Sequence, residues 1–364
     1  MTYRALVLRG AEPEHRSIEN PTVPVSASSF LEFFGISTDT LPVVTVERAM
    51  SEPTVAAAVG FLSRTLANRP LHAFRATDAG SQRLGGKLQR VLNDAPNPEW
   101  SSFAARQYFW QQAFSRGRGL LYIERLGSNP DSLWPMDAAK TTVKRVNGRK
   151  VYTYQGKTYP AADIVDVPFM LKDDQLGVRS AIQLASSAIQ LALAMSKYGA
   201  GFFAGGGVPP LALTGPLPVG ADAMKRALAD QRRAIDAART AGSAIFPTAP
   251  GYELKPVGFD PAKGQMVEAH RFLVEQIARP FNLPPVFVGD LTHGTFSNTE
   301  QQDLQLAKHV VAHWAKALED ELNLKLFGPA NNRRYVEHSL DGLRRGDFKT
   351  RMEAMASGVQ NGLL

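Results

Sequence analysis

Between Ser180 and Ser196 the chain carries no charged residue, and its apolar side chains fall on two helical faces. Ile182, Ala185, Ile189 and Ala192 share one face; Leu184, Ala188, Leu191 and Met195 share another. A helix that is apolar on more than one side must pack on more than one side. The pattern therefore predicts a helix over 180–198 with at least two neighbours. Gln183, Ser186, Ser187 and Gln190 interrupt it, and it is shorter than the roughly 20 apolar residues that span a bilayer. It reads as a buried helix, and no membrane is expected as a partner. The glycines at Gly199, Gly201 and Gly205 to Gly207 are expected to end it.

A Pro-rich strand follows (Val208 to Leu213), then a charged helix (Ala221 to Arg239) and a second strand region (Ser243 to Val257). Another helix is predicted over Gly264 to Arg279, where Pro280 stops it. The outline is a helical hairpin carrying a small α/β insert at 205–258.

The first half has mixed character. The first forty residues are rich in Pro and Ser and read as an extended arm, with a short apolar knot at Phe30 to Phe34. Val55, Val59, Leu62 and Leu66 recur at helical spacing between Glu52 and Asn68, and Arg69-Pro70 ends that helix. Leu71 to Arg75 reads as a strand. Glu99 to Ser115 is a second helix, crowded with Trp100, Phe103, Tyr108, Phe109, Trp110 and Phe114, a stripe expected to be core. Gly117 and Gly119 stop it, and Leu120 to Arg125 looks like a strand. From Thr141 to Tyr159, β-rich runs are separated by Asn147-Gly148 and Gln155-Gly156, and Asn-Gly between such runs signals a hairpin. The fold class is α+β.

After the hairpin comes Ile277 to Phe327, IARPFNLPPVFVGDLTHGTFSNTEQQDLQLAKHVVAHWAKALEDELNLKLF. Ser297 and Glu300 are spaced as a capping box. They predict a long helix over Thr299 to Leu326, about 42 Å at the usual rise per residue. Leu304, Ala307, Val311, Trp314, Leu318 and Leu322 would form its apolar stripe.

Several chemistries are set aside. The 364 residues contain no cysteine, which excludes disulfides and thiolate-held metals. Met1 to Asn20 alternates apolar and charged residues and lacks the continuous apolar core of a signal peptide. His309 and His313 sit at i, i+4, but the intervening Val-Val-Ala lacks the glutamate of a zincin, and no third ligand is evident. The glycines around 199–207 follow a helix rather than a strand, and no full Gly-X4-Gly-Lys-Ser/Thr occurs, since Gly156-Lys157-Thr158 has Val151 where the motif needs its first glycine, so no ATPase site is expected. There is no Gly-X-Ser-X-Gly elbow. Glu319, Asp320 and Glu321 read as a solvated helix surface, and Arg333-Arg334 and Arg344-Arg345 as surface pairs. No catalytic residue, cofactor or metal is expected, and the chain does not read as an enzyme.

The run 277–327 resembles the HK97-type portal protein family of tailed bacteriophages and gene transfer agents. The resemblance lies in the aromatic-X-[LV]-P-P turn at Phe281 to Pro285 and the Thr-aromatic-Ser-Asn-X-Glu-Gln stretch at Thr295 to Gln301. Val44 to Phe74, Pro98 to Val143 and Asp163 to Leu213 resemble further blocks of the family in the expected order, about 300 residues together. The last of these includes a helix start of the family's glycine-then-serine type at Gly177 and Ser180, here spaced Gly-X-X-Ser. One departure stands out: Gly117-Arg118-Gly119 replaces the family's usual Gly-Asn pair before a strand.

The resemblance implies a phage portal fold. Its parts would be an N-terminal arm (1–40), an α+β wing (41–179), a stem of two helices (180–204 and 259–281) and a small α/β clip (205–258). Residues 282–340 would supply the tunnel loop, the long helix and the remaining wing, and 341–364 the start of a helical crown. It implies a homo-oligomeric ring, a dodecamer, at one capsid vertex of the virion, assembled in the host cytoplasm. The ring would pass double-stranded DNA for packaging and ejection and dock the terminase large subunit, the head–tail adaptor and the major capsid or scaffold protein. Ile189, Leu191, Met195, Phe272 and Leu273 would pack between subunits in the stem. Leu291, Thr292, His293, Gly294, Thr295, Phe296 and Ser297 would line the tunnel. In the clip helix, Arg226, Arg232, Arg233 and Arg239 are interleaved with Asp222, Asp230 and Asp236. They read either as a solvated face or as a docking surface. A conduit must not hold its cargo, because each neutralised phosphate adds affinity. The uncharged stretch 291–297 fits that need, and the net charge of +7 would then lie on outer or interface surfaces. Alternatives are another ring-forming connector or adaptor and a DNA-processing enzyme. Adaptors are generally much smaller, and a nuclease needs clustered carboxylates for a metal pair, which are not evident.

Overall fold

The computed structural model describes residues 43–127, 129–204, 211–214, 221–240, 253–256, 266–290, 302–328 and 333–340, with single positions at 356 and 360. The N-terminal arm, the tunnel-loop stretch and nearly all of 341–364 lie outside them.

Two helices come first, α1 (Val46–Met50) and α2 (Pro53–Ala67). Glu52 caps α2 by accepting the Val55 N–H at 2.9 Å, and Pro53 sits in the first turn, where its missing N–H costs nothing. Val55, Val59, Leu62 and Leu66 are fully buried. Each contributes about 1.5–3 kcal/mol relative to an exposed position. The strands β1 (Leu71–Thr77) and β2 (Gly80–Arg83) follow, then α3 (Lys87–Asn93) and α4 (Ser102–Arg116). The α4 helix starts three residues later than expected because Ser101 is its cap, accepting the Ala104 N–H at 3.2 Å.

Eight further strands complete the body: β3 (Arg118–Leu126), β4 (Asn129–Pro135), β5 (Thr141–Val146), β6 (Arg149–Tyr154), β7 (Lys157–Pro160), β8 (Ile164–Pro168), β9 (Met170–Leu171) and β10 (Val178–Arg179). They make an antiparallel sheet in the order β4-β3-β8, a second in the order β5-β6-β7, and the short pair β9/β10. Both expected turns are present. Asn147 and Gly148 have φ of 50° and 76°, and Gln155 and Gly156 have 48° and 77°. Two successive left-handed residues match the twist of the flanking strands. The β5-β6-β7 sheet packs through Tyr152, Val143, Tyr154 and Tyr159 onto Leu120, Met136 and Ile164.

The hairpin follows as α5 (Ala181–Leu184) and α6 (Ser186–Ala204). Gly199 and Gly201 do not end α6, which continues to Ala204. Glycine costs a helix only about 1 kcal/mol, too little to override packing. Within the insert, β11 (Leu211–Thr214) pairs antiparallel with β12 (Glu253–Pro256), and α7 (Ala221–Thr240) lies between them in sequence. The second hairpin helix, α8 (Met266–Ala278), packs against α6 and ends in a 3₁₀ turn, Arg279–Phe281.

The long helix is present from residue 302 and contains a π-helical segment, Leu306–Val311, before α9 (Ala312–Phe327). The wider π turn changes which residues face inward. Leu306 and Val310 are buried, whereas Leu304 is exposed, unlike the stripe expected from an uninterrupted 3.6-residue period. From Val311 onward the stripe Val311, Trp314, Leu318 and Leu322 is buried as expected. The chain then returns as β13 (Arg334–His338), which pairs with β1 and gives a third sheet, β13-β1-β2.

An aromatic cluster joins body, hairpin and long helix. Phe114 lies 5.4 Å from Trp314, 5.9 Å from Trp110, 6.2 Å from Phe169 and 6.5 Å from Phe281, between ring centroids.

Candidate assembly and channel site

The joint between body and hairpin is built on Gly117-Arg118-Gly119. Gly117 ends α4 with φ of 87°, and a Cβ there would stand 3.0 Å from the Ser180 nitrogen and 3.1 Å from the Arg179 carbonyl carbon. Glycine meets both demands, of φ and of space. Gly119 lies under the Phe109 ring, where a Cβ would approach three ring carbons to 2.8–2.9 Å. Between them, Arg118 points inward. Its Nε stands 2.9 Å from Asp166 Oδ1, out of line with the N–H, so this is a charge contact rather than a hydrogen bond. Both side chains are more than nine-tenths buried. Arg118 Nη2 donates to the Leu176 carbonyl at 2.7 Å, and the Tyr152 hydroxyl donates to Asp166 Oδ2 at 2.6 Å. Burial, reinforced by Asp166, pushes the Tyr152 phenol well up, so it remains a donor. Asp174 accepts the Leu176 and Gly177 N–H groups at 2.9 and 2.7 Å, and these bonds hold its carboxyl below the usual range.

Ser180 then starts the hairpin with a full capping box. Its hydroxyl accepts the Gln183 N–H, and the Gln183 side chain accepts the Ser180 N–H, both at 3.1 Å. The joint is therefore fixed by an ion pair, a tight glycine and a cap within a few residues of one another.

Of the five expected inter-subunit residues, Ile189, Leu191, Met195 and Leu273 are already buried within one chain and offer a neighbour almost no area. The two-faced pattern of 180–198 is largely satisfied within the chain, whose own α8 packs against it. Phe272 is different: it is 57% exposed beside the buried Leu273. Val267 on the same helix (62%) and Leu184 (41%) are exposed as well.

In the insert, Arg226, Arg232 and Arg233 are exposed on α7, and the side chain of Arg239 lies outside the described residues. Arg233 pairs with Asp230 and Arg226 Nε donates to the Asp222 carbonyl at 3.4 Å, so two of the three are engaged along their own helix. The tunnel candidates Leu291, Thr292, His293, Gly294, Thr295, Phe296 and Ser297 lie outside the described residues, as does Glu300. His309 and His313 are exposed, and among the described residues no group of three potential metal ligands occurs. Among those residues no helix is long and apolar enough to cross a membrane.

The acidic cluster is not the solvated surface it was expected to be. Glu319 is buried, and its Oε1 accepts the His338 backbone N–H at 2.8 Å and lies 2.9 Å from His338 Nδ1. Glu321 is partly buried, and burial pushes its carboxyl up, with Lys325 opposing. Only Asp320 fits the expectation, pairing with Lys316 at 2.7 Å on the surface. For Glu319 the reason is β13, which folds back onto α9 and presents the His338 N–H, and for Glu321 it is β8, whose Asp166 N–H it accepts. Arg333 pairs with Asp78 at 2.8 Å, and Arg334 lies 5.1 Å over the Phe327 ring. Sequence reasoning also passed over the cations of the β5–β6 hairpin, although Lys144-Arg145 and Arg149-Lys150 flank the turn it identified.

Residues 53–364 match the family model described as phage portal protein. The probable portal protein of Streptomyces phage phiC31 is 28% identical over 345 residues, 88% of this chain and 74% of that protein. Among solved structures, an HK97-family phage portal protein from Corynebacterium diphtheriae superposes with a TM-score of 0.63 at 16% identity. That match covers 84% of this chain and 99% of the other. A chain in the neck of a native gene transfer agent particle, computed with C12 symmetry, superposes with a TM-score of 0.57 at 18% identity, covering 91% and 90%.

Proposed function

The chain belongs to the phage portal protein family, of the HK97 type, and from that premise we propose that it is the subunit of a dodecameric portal ring that conducts double-stranded DNA. The observation that carries this reading is the helical hairpin α6/α8 with a strand pair and a helix inserted between its arms, anchored by the Gly117–Ser180 joint. A hairpin held rigidly to its body can stand beside identical hairpins and enclose a bore. The similar chain in a C12 particle neck supports twelve copies. Closed cyclic symmetry makes each interface heterologous and repeats it around the axis.

In this reading α5, α6 and α8 form the stem, and 205–258 forms the clip that docks the terminase large subunit and later the head–tail adaptor. The α+β body with β13 forms the wing, against major capsid or scaffold protein. Residues 291–297 form the tunnel loop, whose lack of formal charge lets DNA slide. The motor's ATPase belongs to a separate protein, since the one Gly-Lys-Thr, Gly156-Lys157-Thr158, lies at the turn between β6 and β7, opens no helix and lacks the motif's first glycine. The assembled ring resides in the virion.

Phe272 is the largest of three exposed apolar stem side chains, with Val267 and Leu184, whose exposure calls for a partner subunit. Phe272→Asp is expected to remove about 2 kcal/mol from each interface, the scale of an aromatic anchor. Half-assembly then moves to a protein concentration at least about tenfold higher. The melting temperature of the isolated subunit falls far less, because more than half of the side chain is already solvated there. Analytical ultracentrifugation across a concentration series reads both species. An unchanged assembly midpoint would remove Phe272 from the interface.

A further inference from the structure

The β5–β6 hairpin has a property that passage through a bore does not use. Residues 141–160 contain five cations, Lys144, Arg145, Arg149, Lys150 and Lys157, and no carboxylate, against a net charge of +7 for the whole chain. Most of the excess charge thus sits on one small sheet. The β7 strand pairs only as far as Val151↔Pro160, so beyond that point the hairpin is a two-stranded ribbon.

Its tip is rigid. The Asn147-Gly148 turn is left-handed at both residues, and Arg145 braces it by donating to the Gly148 carbonyl at 3.2 Å and to Gln175 Oε1 at 3.3 Å. Lys144, Arg149, Lys150 and Lys157 make no ion pair among the described residues. Glu321 is near enough to feel Lys150, but it is partly buried. Val146 at the tip is exposed.

The register distributes the charge on both faces. Arg145 opposes Lys150 on the face that continues Tyr152, whereas Lys144 and Arg149, opposite Val151 and Val146, lie on the other. A flat acidic surface could satisfy one of these faces. A groove walled by phosphates on both sides satisfies the two together, and the major groove of duplex DNA admits a two-stranded β-ribbon. We propose that residues 144–150 form a duplex-DNA contact by inserting this ribbon between phosphate rows, outside any bore. The contact would be independent of sequence, since phosphate neutralisation carries it.

The test uses the full chain and a fluorescein-labelled 30-base-pair duplex, with binding followed by anisotropy from 50 to 300 mM salt. Lys144→Gln/Arg149→Gln/Lys150→Gln is expected to weaken binding by at least about tenfold near 0.1 M salt and to flatten the log–log salt slope by up to about 3. Lys144→Arg/Lys150→Arg keeps wild-type binding. Arg75→Gln/Arg83→Gln/Arg90→Gln removes the same charge from exposed positions elsewhere in the body and loses less than about threefold. The proposal fails if the ribbon variant binds as tightly as the parent, or if both triple variants weaken equally. It also fails, in favour of an acidic protein partner, if polyglutamate binding depends on the three cations and duplex binding does not.

Discussion

Arg118→Ala is expected to lower the free energy of unfolding by about 3–5 kcal/mol, the cost of leaving one partner of a buried ion pair uncompensated. The substitution strands Asp166, which would retain only the Tyr152 hydroxyl among its present side-chain partners, and it deprives the Leu176 carbonyl of a donor. The lost interactions tie β3 to β8 and to the loop that leads into Ser180, so the joint loosens as well. Denaturant titration measures the loss. Arg118→Met with Asp166→Leu should recover a good part of it, because removing both charges removes the desolvation problem, although the Tyr152 hydroxyl is then unpaired. A single variant within about 1 kcal/mol of the parent would show that water reaches the pair and that the joint is not held this way.

Phe114→Ala is expected to cost a further large amount, about 3–5 kcal/mol, as a large-to-small change in a closed core. Its ring is fully buried and touches aromatic side chains from α4, α9, the segment after β8 and the end of the hairpin. No single element can move to fill the space without pulling on the others. Phe114→Leu should be milder, since it leaves a smaller void. Thermal unfolding of the two variants side by side gives the comparison, and equal stability of both with the parent would contradict the packing described here.

Much of this architecture was legible because the local signals are strong and act over short distances. The stripe Val55, Val59, Leu62 and Leu66 is set by helical spacing alone, and Asn147-Gly148 by the need for two left-handed residues. The hairpin helices and the insert between them follow from apolar patterning and from Pro280. What was missed depends on partners distant in sequence. The β13 strand is five residues long, and its place is set by pairing with β1. Glu319 looks solvated until that strand arrives with the His338 N–H. The π turn at Leu306–Val311 leaves no periodic signature, yet it moves burial from Leu304 to Leu306 and Val310. Gly117-Arg118-Gly119 was visible as a departure from the family pattern, but its meaning required Asp166, Phe109 and Ser180 in space. The inter-subunit candidates show the same limit: apolar periodicity marks what is covered, and it does not say whether the cover comes from the same chain. Four of the five are covered from within, and exposure singles out Phe272.

The central claim is that this chain closes into a ring around a duplex-wide channel. Electron microscopy of the purified protein tests it most directly, through class averages viewed down the particle axis. Closed rings are expected, because heterologous contacts that close make a cycle, with about twelve lobes and a central hole wide enough for duplex DNA. A monodisperse monomer or closed dimer across several salt conditions, persisting when the capsid protein is co-expressed, would contradict it.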